Sequence, residues 1–132
     1  MDTSLRFIEL CRKAQIIVGI LKLEPHQAFP CKEGVFVDAL GSWYYLFGNG
    51  EIVPLFRQDQ LQRMLISSGV IAGNWRDVLA KFVDTMWEFE DEDNVGYWAN
   101  FNSIEQLWLA FVMKERYRKF WNGTDWVETE TP

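Results

Sequence analysis

The sequence predicts a single α+β domain, in which an N-terminal helix precedes a three-stranded antiparallel meander and three further helices pack on the sheet. Three observations predict this class. Apolar residues first recur every three to four positions, then short β-branched and aromatic runs alternate with glycines, and helical spacing returns after residue 59. A chain of 132 residues is one domain's length, so we expect one globular unit over 1–132 with residues 128–132 frayed.

The first helix is predicted over residues 3–18. Its apolar positions have the spacing of an amphipathic helix and are Leu5, Ile8, Cys11 and Ala14. Gly19 is expected to end it, and the prolines within 22–34 predict a surface loop.

The meander is predicted from three runs, residues 35–37, 43–47 and 51–56. Asn49-Gly50 supplies the left-handed backbone that a tight hairpin needs, and Pro54 places the third strand at an edge. The alternating Trp43, Tyr45 and Phe47 are expected to form the core face of the sheet. The alternative is a stacking platform for a nucleotide or a sugar.

Three helices are predicted in the second half. Asp59 is expected to cap the first, which Gly69 closes, and Asn74 opens the second. The apolar residues of the second helix are expected to face the core as one stripe: Trp75, Val78, Leu79, Phe82, Val83, Met86 and Trp87.

Ser103 opens the last helix, with Gln106 as its capping-box partner. Its apolar stripe is expected to extend to Phe120 and Trp121, and Asn122-Gly123 is interpreted as its C-terminal cap. Residues 126–127 are a candidate fourth strand.

The negative charge is concentrated in one segment. The formal charge is −6, and no Lys or Arg occurs between Lys81 and Lys114. Residues 82–113 hold seven of the 19 acidic residues, which leaves +1 on the remainder. An acidic chain is a poor general binder of nucleic acid, so we expect no direct nucleic-acid contact. The basic cluster at residues 114–119 suits the end of a helix, a small phosphate or RNA patch being the alternative.

Most of these acids follow a predicted helix C-terminus, where the helix dipole disfavours carboxylates. Aromatic residues are interleaved with them, as in protein interfaces, although a solvated acidic loop would have the same charges. We therefore predict a partner-binding surface, with Tyr97 and Trp98 as its exposed aromatic residues. Its predicted members are Glu88, Glu90, Asp91, Glu92, Asp93, Tyr97 and Trp98.

No catalytic residue, metal site or cofactor is predicted. The common nucleophile, phosphate-binding and dinucleotide motifs are absent, and one histidine with two cysteines cannot build a structural zinc site. A calcium loop beginning at Asp91 fails because Val95 and Asn102 occupy ligand positions five and twelve. His26 with Cys31 or Cys11 is the remaining candidate dyad, and a surface histidine is the favoured interpretation.

The first residues lack a secretory signal and no apolar run is long enough to span a bilayer, so we expect a cytoplasmic protein without membrane contact. With seven tryptophans and a Trp-Tyr-Tyr-Leu-Phe-Gly-Asn-Gly-Glu hairpin between helices, the chain resembles the immunity proteins of bacterial polymorphic and contact-dependent toxin systems. This resemblance implies a cytosolic inhibitor that binds a toxin domain with a basic surface. Phage-encoded anti-defence inhibitors are similar in general makeup. A small-ligand-binding domain or enzyme is a second candidate class, and a homodimeric structural subunit is a third.

Overall fold

The computed structural model of the chain describes residues 1–17, 32–37, 41–67, 74–88 and 97–128. The predicted α+β order is confirmed: one helix, a three-stranded antiparallel sheet, then helices. In chain order the elements are α1 (Leu5–Ile17), β1 (Gly34–Val37), β2 (Trp43–Leu46), β3 (Ile52–Leu55), α2 (Gln58–Ser67), α3 (Trp75–Glu88), a 3-10 helix (Trp98–Asn100), α4 (Ile104–Tyr117), β4 (Lys119–Trp121) and β5 (Trp126–Glu128).

The meander has the strand order β1-β2-β3, so Pro54 lies on an edge strand as predicted. The hairpin between β2 and β3 closes through the N–H of Phe47, which donates to the carbonyl of Glu51 at 2.8 Å. Gly50 has φ +90°, a left-handed conformation that a side chain would strain. Asn49 of the predicted Asn49-Gly50 pair does not adopt it. Among the described non-glycine residues, positive φ occurs at Arg118 alone.

Both faces of β2 are covered. Val53 and Leu55 of β3 are fully buried in the main core, and Trp43, Tyr45 and Phe47 pack against that core while partly buried, as predicted. Tyr44 points to the opposite face, where it is buried and stacks on Phe36 with 5.2 Å between ring centroids. The aromatic residues of the meander are therefore packing residues.

The centre of the core is α4. Its residues from Trp108 to Met113 are all buried, because α1 and α2 both pack against this helix. Phe82 of α3 stacks on Trp108 with ring centroids 3.9 Å apart. Helix α1 packs against β3 as well as against α4, and so it joins the helices to the sheet.

The predicted caps of α3 and α4 are confirmed. The Oδ1 of Asn74 accepts from the backbone N–H of Arg76 at 3.0 Å, and the Oγ of Ser103 accepts from the N–H of Gln106 at 3.2 Å. At α2 the prediction is two residues off: the helix begins at Gln58, directly after Arg57, so Asp59 lies inside the first turn, where its carboxylate pairs with Arg57 at 2.9 Å. Gly69 lies outside the described residues.

The end of the last helix was predicted wrongly. Helix α4 stops at Tyr117 because Arg118 turns left-handed, with φ +55°, and donates its N–H to the carbonyl of Lys114. Phe120 and Trp121 belong to β4, and Asn122-Gly123 forms the turn of the hairpin that joins β4 to β5. The candidate strand at 126–127 exists, but it pairs with β4 and not with the meander.

The hairpin of β4 and β5 is held to α1. The indole Nε1 of Trp126, a buried residue, donates to the carbonyl of Leu10 at 3.1 Å. On the surface, Lys13 pairs with Asp125 at 3.1 Å. None of the helices in the described ranges is long and apolar enough to cross a membrane.

Candidate interaction surface

The predicted acidic segment begins at the end of α3. Glu88 is the last residue of this helix, and the last turn contains no basic residue. An acidic residue therefore occupies the last position of α3, at the negative end of the helix dipole, as the sequence predicts. Glu90, Asp91, Glu92 and Asp93 lie outside the described residues.

Tyr97 follows the acidic segment in the chain and is held in place by contacts with β4 and neighbouring rings. Its hydroxyl oxygen accepts the backbone N–H of Trp121 at 3.1 Å, which connects it to β4. Its ring makes edge contacts with Phe101 and Phe120, at centroid distances of 5.3 and 5.1 Å. Burial raises the pKa of Tyr97 to about 12, against a smaller opposite effect of this hydrogen bond. Tyr97 is partly buried, so it is more a structural anchor than the exposed residue predicted.

Trp98 was predicted to be an exposed residue of the partner-binding surface, and this prediction is wrong. Its side chain is only 8% exposed and belongs to the main core. The cause is local: the 3-10 turn that begins at Trp98 directs the indole inward, against Tyr97 and Phe101. In the sequence, Gly96 suggests a loop in which Tyr97 and Trp98 are exposed. No sequence pattern indicates the 3-10 helix at Trp98–Asn100. Trp98 is thus removed from the candidate surface.

Of the acids in residues 82–113, Asp84 and Glu105 have described side chains, and they lie on different helices. Asp84 is exposed on α3, whereas Glu105 is in the first turn of α4. The carboxylate of Glu105 lies 3.7 Å from the amino group of Met1 and accepts the N–H of Asp2. Its charge is therefore compensated locally and also suits the positive end of the α4 dipole.

Asp2 links the first residues of the chain to α4. Its Oδ2 accepts from the Oγ of Ser103 at 2.5 Å and from the Nε2 of Gln106 at 2.8 Å, while Oδ1 accepts the N–H of Ser4 at 2.8 Å. Partial burial alone would raise the pKa of Asp2, but these hydrogen bonds outweigh it and lower the pKa. An open cleft lies here, yet its central groups bond to one another, which indicates a structural role.

Helix α3 exposes part of its predicted apolar stripe, of which the Trp87 side chain lies outside the described part of the structure. Val78 and Phe82 are buried as predicted, but the predicted burial of Trp75, Leu79 and Val83 is wrong. These three side chains are 42, 46 and 48% exposed. The apolar arc of α3 is too wide for a helix at the margin of the core to bury completely, so a contiguous row is left on the surface.

The candidate nucleophile Cys11 is buried, and its thiol is expected to be unreactive in the folded protein. Burial raises the pKa of its thiol well above the usual value, and a neutral thiol is a poor nucleophile. His26 and Cys31 lie outside the described residues. Within the ranges that are described, no group of three His, Cys, Asp or Glu side chains could hold a metal ion.

The basic cluster at the end of α4 is partly neutralised. Lys114 pairs with Glu115 at 3.1 Å and Lys119 with Glu128 at 3.4 Å. The guanidinium of Arg116 lies over the ring of Tyr117, 5.3 Å from its centroid. These contacts favour the structural interpretation over a phosphate patch.

Comparison with known proteins gives no match: no protein-family model, no curated protein and no solved structure is similar to the chain.

Proposed function

We propose that this chain is a binding protein that inhibits a partner with a basic surface, and that the acidic residues 88–93 make the contact. A toxin domain neutralised by its immunity protein is the partner class that this proposal favours. Positive charge is typical of the active sites and channels of enzymes that act on nucleic acid. An acidic inhibitor of such an enzyme occupies the surface that its phosphate-bearing substrate needs.

The observation that carries the proposal is that the acidic residues of 82–113 have no Lys or Arg among them in the sequence, whereas several acidic residues elsewhere form ion pairs. Elsewhere in the described ranges, several acids pair with basic neighbours: Glu51 with Arg12, Asp59 with Arg57, Asp125 with Lys13, Glu115 with Lys114 and Glu128 with Lys119. Residues 82–113 contain no Lys or Arg that could do the same locally. A concentrated negative potential remains available for a partner, and such potentials increase association rates and selectivity.

The fixed ends of the acidic segment support the proposal. Residues 89–96 connect Glu88, which ends a helix packed in the core through Phe82, to Tyr97, which is bound to β4. The two flanking residues are therefore held in the fold before a partner binds, so ordering these two positions adds little to the entropic cost of binding.

Capture of the partner from the source cells tests this function. The bait is the full chain, and the test variant carries Glu90→Gln, Asp91→Asn, Glu92→Gln and Asp93→Asn. The matched control changes the net charge equally but elsewhere, with Glu9→Gln, Asp59→Asn, Asp125→Asn and Glu128→Gln.

We expect the wild type and the control to retain one basic protein whose activity they inhibit, and the test variant to lose it. If the test variant captures and inhibits the same protein equally well, the acidic segment is not the binding surface.

An anti-defence inhibitor would use the same surface, and the identity of the captured protein distinguishes it from an immunity protein. A ligand-binding meander is less favoured. Trp43, Tyr45 and Phe47 pack against the core, and the Arg12 guanidinium lies over the ring of Phe47 at 5.5 Å.

A further inference from the structure

An apolar row on α3 has no cover within the described part of the domain. Trp75, Leu79 and Val83 are one helical turn apart from each other, so they form a continuous ridge along the exposed side. The neighbouring row of the same helix, with Val78 and Phe82, is buried. Such exposed ridges mark interaction surfaces more often than isolated exposed residues do.

A second row runs beside the apolar ridge and carries charge at its two ends. It consists of Arg76, Ala80 and Asp84, all exposed and also spaced by one turn. In the part of the chain that the structure describes, no ion pair involves Arg76 or Asp84. The two are about 12 Å apart along the helix axis, too far to neutralise each other.

We propose that a second copy of this chain covers the ridge, with the two α3 helices packed antiparallel about a two-fold axis near Ala80. In such an interface the same patch meets itself, so each contact occurs twice. Reversing the row Arg76, Ala80, Asp84 places Arg76 of one copy opposite Asp84 of the other. Both charges are then paired, the small side chains of Ala80 meet at the axis, and the apolar ridges cover each other.

The charge pattern selects the antiparallel arrangement. Parallel packing would place Asp84 beside Asp84 and position 88 beside position 88, and like charges repel. Antiparallel packing separates the two Glu88 positions by about 24 Å along the helices. The two helix ends from which the chain continues into residues 89–93 then lie at opposite ends of the pair.

The contact is small. A helix of 14 residues is about 21 Å long, and one helix face buries less than the roughly 800 Å² per partner of a standard stable interface. The dimer therefore belongs to the weak, concentration-dependent class. It is independent of the proposed inhibitor function, since it uses residues 75–84 of α3 and not the acidic residues 88–93.

Sedimentation velocity over a range of protein concentrations tests the dimer. We expect the average mass to rise from monomer towards dimer as the concentration increases. Arg76→Asp or Asp84→Arg alone places like charges opposite each other in both symmetric pairs, so each is expected to weaken the dimer about tenfold or more. Lys81→Asp is the matched control, since it makes the same charge change on another side of α3 and is expected to have no such effect.

The decisive sample is an equimolar mixture of the two single variants. A mixed dimer then has opposite charges at both pairs, so association is expected to return to near the wild-type level. Circular dichroism of each variant checks that the fold is kept. A wild type that stays monomeric at every concentration overturns the proposal, and so does a mixture that associates no better than either variant alone.

Discussion

The carboxylate of Asp2 is expected to contribute measurably to the stability of the fold. It accepts three hydrogen bonds, two of which come from Ser103 and Gln106 at the start of α4. Asp2→Asn keeps the shape but removes the charge and one acceptor oxygen. Gln106 is buried, so its amide group has no water to replace the lost acceptor.

The magnitude follows from these contacts. Hydrogen bonds to a charged group contribute ~1.5–3 kcal/mol each and neutral ones ~0.5–1.5 kcal/mol. The asparagine retains one oxygen, and the negative charge near the α4 N-terminus adds a few tenths of a kcal/mol. We expect Asp2→Asn to lower the free energy of unfolding by about 2 kcal/mol at neutral pH.

The pH dependence has a definite sign. The folded pKa of Asp2 is lowered below its ordinary value of 3.8, so its contribution is complete above that value and is lost as the pH falls through the folded pKa. Urea unfolding at neutral and acidic pH measures this. The difference between wild type and Asp2→Asn should shrink in acid, whereas Glu128→Gln, which alters an exposed pair, should have little effect at either pH. An Asp2→Asn variant as stable as the wild type at neutral pH would refute the reasoning.

Three further predictions concern the core. Phe82→Ala should cost about 3–5 kcal/mol, because it removes the ring stacked on Trp108, and thermal unfolding that is unchanged would contradict this packing. Trp126→Phe should cost about 1–2 kcal/mol in urea unfolding, since the Leu10 carbonyl loses its indole donor and a small gap opens. With the other thiol replaced, Cys11 should react with iodoacetamide only after unfolding; rapid labelling of the native protein would show that it is not buried.

The order of elements could be predicted because local signals agree with the fold. Asn74 and Ser103 cap their helices through side-chain bonds that depend only on nearby residues. Gly50 and Pro54 mark the hairpin and the edge strand for equally local reasons.

The C-terminal hairpin could not be predicted from spacing. Phe120 and Trp121 continue the helical period of α4, and only the left-handed conformation of Arg118 ends the helix before them. A non-glycine residue in this conformation gives no sequence signal, and its stability depends on tertiary contacts such as the bond from Trp121 to Tyr97.

The exposure of individual aromatic and apolar side chains could not be predicted from spacing, for a related reason. Periodicity shows which residues are apolar on α3, but not how much of that stripe neighbouring elements can cover, so it wrongly assigns Leu79 and Val83 to the core. The same limit applies to Trp98, whose burial depends on a 3-10 turn. The acidic segment, by contrast, follows directly from the order of charges along the chain.

The proposed inhibitor surface is tested most directly by the association rate with the captured partner at low and at high salt. The wild type and the control variant with four neutralised acids elsewhere should bind fast at low salt and much more slowly at high salt. The variant neutralised at Glu90, Asp91, Glu92 and Asp93 should bind slowly and with little salt dependence. Equal rates and equal salt dependence in all three proteins would contradict binding through the acidic segment.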